Sequence, residues 1–430
     1  MIKENIKKPE LISPAGDIEK LKIAFMYGAD AVYASTPIFS MRTREIGFNQ
    51  KTLKEGIDYA HSIGKKVYLT INTFPHPSQI EALKKHIINS LKLNPDAFIV
   101  ADPGVLEFVK ANTDIPIHLS TQANTTNHLS AGFWQKRGVE RIVLARELSL
   151  KDIKAISDYC SSGARTKNGR LLGKASKNNS LELEAFVHGA MCMAYSGRCQ
   201  ISNYLTRRDP NKGACIQACR FKYKMYGLEE EFRPGETFPL CEDEEGTHIL
   251  NSKDLCMIDH VPDLVEAGIS SFKIEGRLKS IYYAGIITRA YRKAIDLYFS
   301  DFEKYKKERK KLVLEIAKTS NRGFTTGFFF NKPDKDTNNY ETSRAQSNWG
   351  FVGIVKSYDK ARKVVVIEAK NHLPKGSQIE IVTPDRILRC RIASMMCKGN
   401  EVDVVHAGYE FKMPFDTEVP EYSFVRLRLR

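Results

Sequence analysis

No apolar run of membrane-spanning length and no secretory hydrophobic core interrupts this chain, which opens with the polar stretch Met1 to Lys8. A cytoplasmic protein is expected, in a compartment where thiols stay reduced. Also missing are a His-Glu-x-x-His zinc motif and a Gly-x-Ser-x-Gly nucleophile elbow, which removes the usual metalloprotease and serine-hydrolase mechanisms. Neither Gly-x-Gly-x-x-Gly nor a Walker A loop follows the first strand signal, and Gly173-Lys174-Ala175-Ser176 lacks the upstream glycine spacing. The last shortage is of acid. The 430 residues carry 66 Lys and Arg against 51 Asp and Glu, a net charge of +15. That excess points to a polyanionic partner, because each phosphate neutralised by a cation releases counterions.

The basic residues are unevenly spread. Ser161 to Ser180 holds Arg165, Lys167, Arg170, Lys174 and Lys177 without an acid, among Gly, Ser and Asn that cannot build a core, and reads as a basic loop. Glu229 to Glu245 is acidic and broken by Pro and Gly, a surface excursion. Apolar content of 42% is ordinary, so a chain of this length has material for two domains.

Nine cysteines are present, and four crowd the middle: Cys192, Cys199, Cys215 and Cys219, flanked by Arg198 and Arg220. Thiolates are soft anionic ligands that suit an iron–sulfur cluster or zinc. Only Cys215 and Cys219 form a tight pair, whereas zinc usually takes two such pairs, so the spacing leans toward iron–sulfur. The plainer alternative is four separate packed thiols. Cys160, Cys241, Cys256, Cys390 and Cys397 are scattered.

Short apolar runs alternate with amphipathic stretches over the first 290 residues or so. Strands are predicted at Glu10–Ser13, Ala31–Ala34, Lys66–Ile71, Ala97–Ala101, Ile117–Ser120, Arg141–Leu144, Leu183–Val187 and Ser271–Ile274. Eight strand–helix units fit an α/β fold of the closed (β/α)8 type, in which function gathers where strands end. Those ends carry Ser13, Pro14, Tyr33, Asn72, Asp102, Gln122, Asn124, Arg146, Glu147, His188, Lys273, Glu275 and Arg277. A long helix is predicted from Tyr282 to Lys318. Six strand-like segments then run from Phe351 to Leu429, a small antiparallel β-barrel. The expected division is a catalytic domain over 1–320 with a cysteine-bearing insertion at about 188–256, a linker over 321–345 and a C-terminal domain over 346–430. In the last strand Arg426, Arg428 and Arg430 alternate with apolar residues, which puts three guanidinium groups on one face, able to meet phosphates or to guard an edge.

Several stretches are longer and more specific than any such pattern: Glu10-Leu11-Ile12-Ser13-Pro14-Ala15-Gly16, the run from Tyr27 to Tyr33, His188-Gly189-Ala190-Met191-Cys192 through Gly197-Arg198-Cys199, and Lys273-Ile274-Glu275-Gly276-Arg277. With these the chain resembles the U32 family, long called U32 peptidases, and within it the prephenate-dependent tRNA uridine hydroxylases. The resemblance implies a [4Fe–4S] cluster on Cys192, Cys199, Cys215 and Cys219, with Cys219 preferred as fourth ligand over Cys241. It implies prephenate as a dicarboxylate co-substrate and hydroxylation of the wobble uridine in the tRNA anticodon region to 5-hydroxyuridine. On that reading His188, Tyr195 and Glu275 are candidates for proton transfer. Arg146, Gln122, Lys273 and Arg277 are candidates for holding substrate, and Arg198, Arg207, Arg208, Arg220, Arg426 and Arg428 for holding RNA. Tyr195, Tyr204 and Phe221 could stack on a base, although packing is the commoner role for an aromatic. A homodimer is compatible with this picture. The alternatives are a collagenase-like peptidase and a non-catalytic RNA-binding protein with a structural metal.

Overall fold

A computed structural model of the protein describes residues 7–41, 47–162, 181–192, 194–220, 241–243, 246–248, 252–331 and 347–429. Most of the basic and acidic stretches, Phe221, Arg430 and the side chains of Arg220 and Cys241 lie outside them. The chain forms two compact units, Met1–Val313 with Asn321–Ala345, and Leu314–Ser320 with Gln346–Arg430.

In the first unit eight parallel strands close on themselves: β1 (Glu10–Ala15), β2 (Ala31–Ser35), β3 (Lys66–Ile71), β4 (Ala97–Val100), β5 (Ile117–Leu119), β6 (Arg141–Val143), β7 (Glu182–Ala190) and β8 (Ser271–Ile274). Each pairs with the next, and β8 pairs with both β7 and β1, which completes the (β/α)8 barrel. Every strand except β7 is followed by a single α-helix before the next barrel strand or the end of the barrel. Those helices are α1 (Ile18–Met26), α2 (Gln50–Ser62), α3 (Ile80–Leu91), α4 (Pro103–Asn112), α5 (His128–Lys136) and α6 (Leu150–Ser162). Between β7 and β8 the chain makes its long excursion, with the short helix α7 (Ile201–Thr206) and then α8 (Val261–Glu266); α9 (Ile281–Ser300) follows β8.

The helix starts are legible in side chains. Asp17 accepts from the Lys20 amide at 2.8 Å, Asn49 and Thr52 form a capping box, and Asp102 caps α4 ahead of Pro103. Each such cap is worth about 1 kcal/mol. Asp102, one of the strand-end residues, is accounted for by this role. The predicted helix from Tyr282 to Lys318 is in fact two. Asp301 adopts an extended conformation (φ −154°, ψ 90°), ends α9, and accepts from the Lys304 amide at 2.9 Å to begin α10 (Phe302–Ile316). An acid that can cap breaks a helix that hydrophobic period alone would continue.

The second unit is an antiparallel sheet built on β9 (Trp349–Asp359), β10 (Val364–Ala369), β11 (Gln378–Val382), β12 (Ile387–Arg391), β13 (Glu410–Pro414) and β14 (Phe424–Arg428), ordered β12-β11-β14-β9-β10-β13. Val355, Val365, Ile367, Ile381, Phe411 and Val425 form part of its core. The sequence reading missed β13, and the strand it drew over Glu401–Val405 is two separate two-residue pairings.

Arg426 requires a correction. It is 0% exposed, and its Nη2 donates to Glu380 Oε2 at 2.6 Å and to Glu315 Oε2 at 2.9 Å, so its guanidinium is unavailable to a phosphate. Arg428, two residues on, is exposed. Burial would raise the Glu380 carboxyl, but hydrogen bonds from Arg389 and Arg426, with the charge of Arg426, outweigh it and lower it to about 2. Its ionised form therefore stabilises the unit fully above 4.5, its ordinary value, and that contribution is lost as pH falls toward about 2. Arg426→Ala, which removes one buried cation from Glu315 and Glu380 while Lys318 and Arg389 remain, is expected to cost roughly 1–3 kcal/mol at neutral pH. In denaturant titrations this penalty should shrink on acidification below the ordinary carboxyl range; a cost that does not change with pH would contradict the ion-pair account.

Candidate functional site

A pocket of about 140 Å³ opens at the carboxyl ends of the barrel strands. Its wall draws on nearly every strand end: Tyr33, Thr70, Asn72, Ser120, Gln122, Arg146, Phe186, Lys273, Glu275 and Arg277. The excursion after β7 folds over one side and contributes Cys192, Tyr195, Ser196, Gly197, Ile201 and Asn211. Of the sequence candidates, Gln122, Arg146, Tyr195, Lys273, Glu275 and Arg277 are thus brought together. Asn72 is committed to the wall: its Nδ2 donates to Ser120 Oγ at 3.0 Å and its Oδ1 accepts from the Met41 amide at 3.1 Å. The Gln122 carboxamide, by contrast, has no hydrogen-bond partner among the described residues.

Beneath the pocket runs a ladder of charge that sequence reasoning missed. Glu184 has no exposed surface and accepts from Lys273 Nζ at 2.6 Å and from Arg141 Nη1 at 3.3 Å. Arg141 continues to Glu182 and Glu10 at the opposite, amino-terminal end of the strands, where Tyr68 Oη also donates to Glu10 at 2.7 Å. Burial would raise the Glu184 carboxyl, but the charges of Lys273 and Arg141 hold it below the usual carboxylate range. Lys273 Nζ also sits 4.4 Å from the Tyr33 ring centroid. Glu184 and Lys273 on otherwise apolar strands were the available signal, since a charge is buried only when paired.

His188 is not in the pocket. Between β7 and β8 the register runs Phe186 to Lys273 and then His188 to Ile274, so Val187 is an extra residue and the facing of the strand inverts. His188 is turned away from the inward set Glu184 and Phe186 and packs against Tyr283, Tyr291 and Phe324. Burial, helped by the charge of Lys279, lowers it to about 3. A neutral imidazole at physiological pH, walled off by aromatic rings, does not serve the pocket as a proton carrier. Glu275 does line the pocket, with the Ala190 amide 3.4 Å from its Oε2.

The iron–sulfur expectation is overturned. Cys192, Cys199, Cys215 and Cys219 all contribute to the pocket wall, but among the described residues no group of three or more His, Cys, Asp or Glu is placed to hold a metal ion. A cluster or a zinc ion needs donors converging on one centre. Here the sulfurs meet separate neighbours: Arg146 Nη1 lies 3.8 Å from Cys192 Sγ, and Ser202 Oγ lies 4.0 Å from Cys215 Sγ. The residues present do not fit a [4Fe–4S] group, and the choice between Cys219 and Cys241 as its fourth ligand lapses. A prephenate co-substrate has no support from the structure: of the cations considered for its carboxylates, Arg146 stands at the pocket wall beside Phe186, and the other two are engaged in the protein. Lys273 holds Glu184, and Arg277 donates to Thr70 Oγ1 at 3.2 Å and to the Met41 carbonyl at 2.7 Å. Iron–sulfur, prephenate-dependent hydroxylation of a wobble uridine is therefore not retained as the function.

Arg198, Arg207 and Arg208 are exposed, each within three residues of a pocket-lining position. No described helix is long and apolar enough to cross a membrane.

A closed (β/α)8 barrel with a pocket at the carboxyl ends of its strands, lined by a few convergent charged and polar side chains, defines a barrel enzyme. Residues 16–339 match the model of peptidase family U32, and residues 347–426 match that of the U32 C-terminal domain. The chain belongs to the U32 family. It is 36% identical to tRNA hydroxylation protein P of Escherichia coli over 95% of this chain and 94% of that one, and 39% identical to the protein of the same name from Helicobacter pylori over 98% and 99%. It is also 32% identical to the 23S rRNA 5-hydroxycytidine C2501 synthase of E. coli, over 85% of this chain and 50% of that one.

Two predictions follow from the site's geometry. In proton-detected titrations the His188 ring should stay neutral down to about pH 3, so its contribution to stability is complete above 6.5, the ordinary histidine value, and declines as pH falls toward 3. An His188 resonance titrating near neutrality would contradict this. Gly197 has φ +73°, and a Cβ there would fall 2.0 Å from the Gln122 carbonyl oxygen. Gly197→Ala is expected to cost at least 1–3 kcal/mol locally, on the order of other strained backbones. The check is hydrogen exchange, with loss of amide protection around Tyr195–Cys199 while the barrel strands keep theirs.

Proposed function

We propose that the protein is a cytoplasmic tRNA-modifying enzyme that takes a nucleoside of single-stranded RNA into the barrel pocket and takes part in its hydroxylation. The observation that carries this reading is 36% and 39% identity, over nearly the whole chain, with proteins named for tRNA hydroxylation. The net charge of +15 and the exposed Arg198, Arg207 and Arg208 beside the pocket support an RNA ligand. A base inside a stack cannot reach a recessed site, so the nucleoside must be splayed out to enter.

Within that reading Glu275 moves a proton at the bound base, and the Gln122 carboxamide pairs with its polar edge. Arg146, whose guanidinium lies 4.1 Å from the Phe186 ring centroid, bounds the ligand on the other side. Lys273 and Arg277 keep the floor of the pocket in shape through Glu184, Thr70 and Met41. The peptidase alternative lacks comparable support: no histidine is among the described residues that line the pocket, and His188 is walled off from it.

The test is mass spectrometry of tRNA nucleosides from cells lacking the gene and from cells complemented with wild type, Glu275→Gln or Gln122→Ala. Hydroxylated nucleosides should disappear in the deletion and return with wild type. Glu275→Gln should lower their rate of formation about 10²-fold or more, the usual scale for a lost general acid or base. An unchanged nucleoside profile in the deletion would end the tRNA reading.

A further inference from the structure

Helix α7 carries an apolar stripe that nothing in its own unit covers among the described residues. Ile201 lines the pocket. Tyr204 and Leu205, three and four residues later, lie on the same helical face, one turn further from the pocket edge. Tyr204 is 86% exposed and Leu205 46%. The helix is anchored beside this face: Ser202 is buried, and its Oγ lies 3.4 Å from the Ile216 amide. A second exposed aromatic, Tyr195, at 65%, lines the same pocket six residues before Ile201. Packing does not explain either tyrosine.

The surrounding charge selects the occupant. Arg207 closes α7 in the left-handed region (φ +55°), its amide donating to the Asn203 carbonyl at 2.8 Å, and Arg208 follows it. Arg198 lies three residues beyond Tyr195, its amide donating to the Tyr195 carbonyl at 3.0 Å. All three arginines are exposed, and none has an acidic partner among the described residues. An apolar stripe for a protein partner would not need cations at both ends. Aromatic faces interleaved with guanidinium groups suit unstacked bases on a phosphate backbone.

We infer that Tyr204 and Tyr195 are stacking platforms for the bases on either side of the nucleoside held in the pocket, with Arg198, Arg207 and Arg208 on the intervening phosphates. The inference rests on the RNA reading above and deepens it: the ligand is a single-stranded segment of at least three nucleotides, held open by aromatic contacts outside the pocket. Its neighbours are recognised by their faces, without regard to sequence.

The experiment measures binding of the full-length protein to a synthetic RNA hairpin with a single-stranded loop, and to the same RNA annealed into a complete duplex. Wild type should prefer the hairpin. Tyr204→Ala should weaken hairpin binding about 5- to 150-fold, the scale of one lost stacked base, with little effect on the duplex. Tyr204→Phe should bind like wild type, because stacking does not need the hydroxyl. Arg207→Ala should reduce the salt dependence of binding by about 0.7 in the log–log slope, while Tyr204→Ala leaves that slope unchanged. Ultraviolet crosslinking of wild type should yield an RNA-bearing peptide that contains Tyr204, a readout independent of how the variants fold. If wild type binds the hairpin, Tyr204→Ala binds it equally well and no crosslink appears, the platform is disproved while the RNA reading stands. If wild type binds neither RNA, both fall.

Discussion

A carboxylate with no exposed surface lies at the centre of the barrel, and its neutralisation is the constraint on which the rest depends. Glu184 on β7 is held between Lys273 on β8 and Arg141 on β6, so strands at the closing seam share one electrostatic requirement. An ionised carboxylate left alone in such surroundings would cost several kcal/mol. The pairing works only if β6, β7, β8 and β1 keep their registers, because a shift of one residue would point the charges at the surrounding helices. The same seam delivers Lys273, Glu275 and Arg277 to the pocket. Closure of the barrel and construction of the site are thus one event.

The bulge at Val187 is the second consequence of that seam. Strict alternation would send His188 inward with Glu184 and Phe186, and the sequence reading treated it as a site residue from its place at the strand end. One extra residue against β8 sends it instead toward Tyr283 and Tyr291. The Ala190 amide, two residues on, then comes within reach of Glu275. A local irregularity of backbone pairing therefore decides which titratable group faces the ligand.

Much of the barrel was legible because its strands are short, apolar and separated by capped helices. Lys66–Ile71 and Ser271–Ile274 were read to the residue, and the other six strands to within three residues at either end. Those signals are local, and local signals survive in a single sequence. The C-terminal unit was read less well. Glu410–Pro414, with its clean alternation of exposed and buried residues, ends in a proline and was passed over, while Arg426 was given to solvent. Alternation shows that Arg426 and Arg428 share a face. It does not show that Glu315 and Glu380 wait beneath only one of them.

The cysteines mark the same boundary. Their crowding in sequence drew all four to one pocket, yet convergence on a centre is a matter of side-chain direction, which spacing does not encode. By itself the sequence determined the family, the strand–helix alternation and the excess of positive charge, because these follow from residue identity and short-range period. Only the tertiary structure decided which charges are spent on each other, which histidine is walled off and which tyrosines remain uncovered. Burial and pairing depend on residues brought together from distant parts of the chain, and neither composition nor period carries that information.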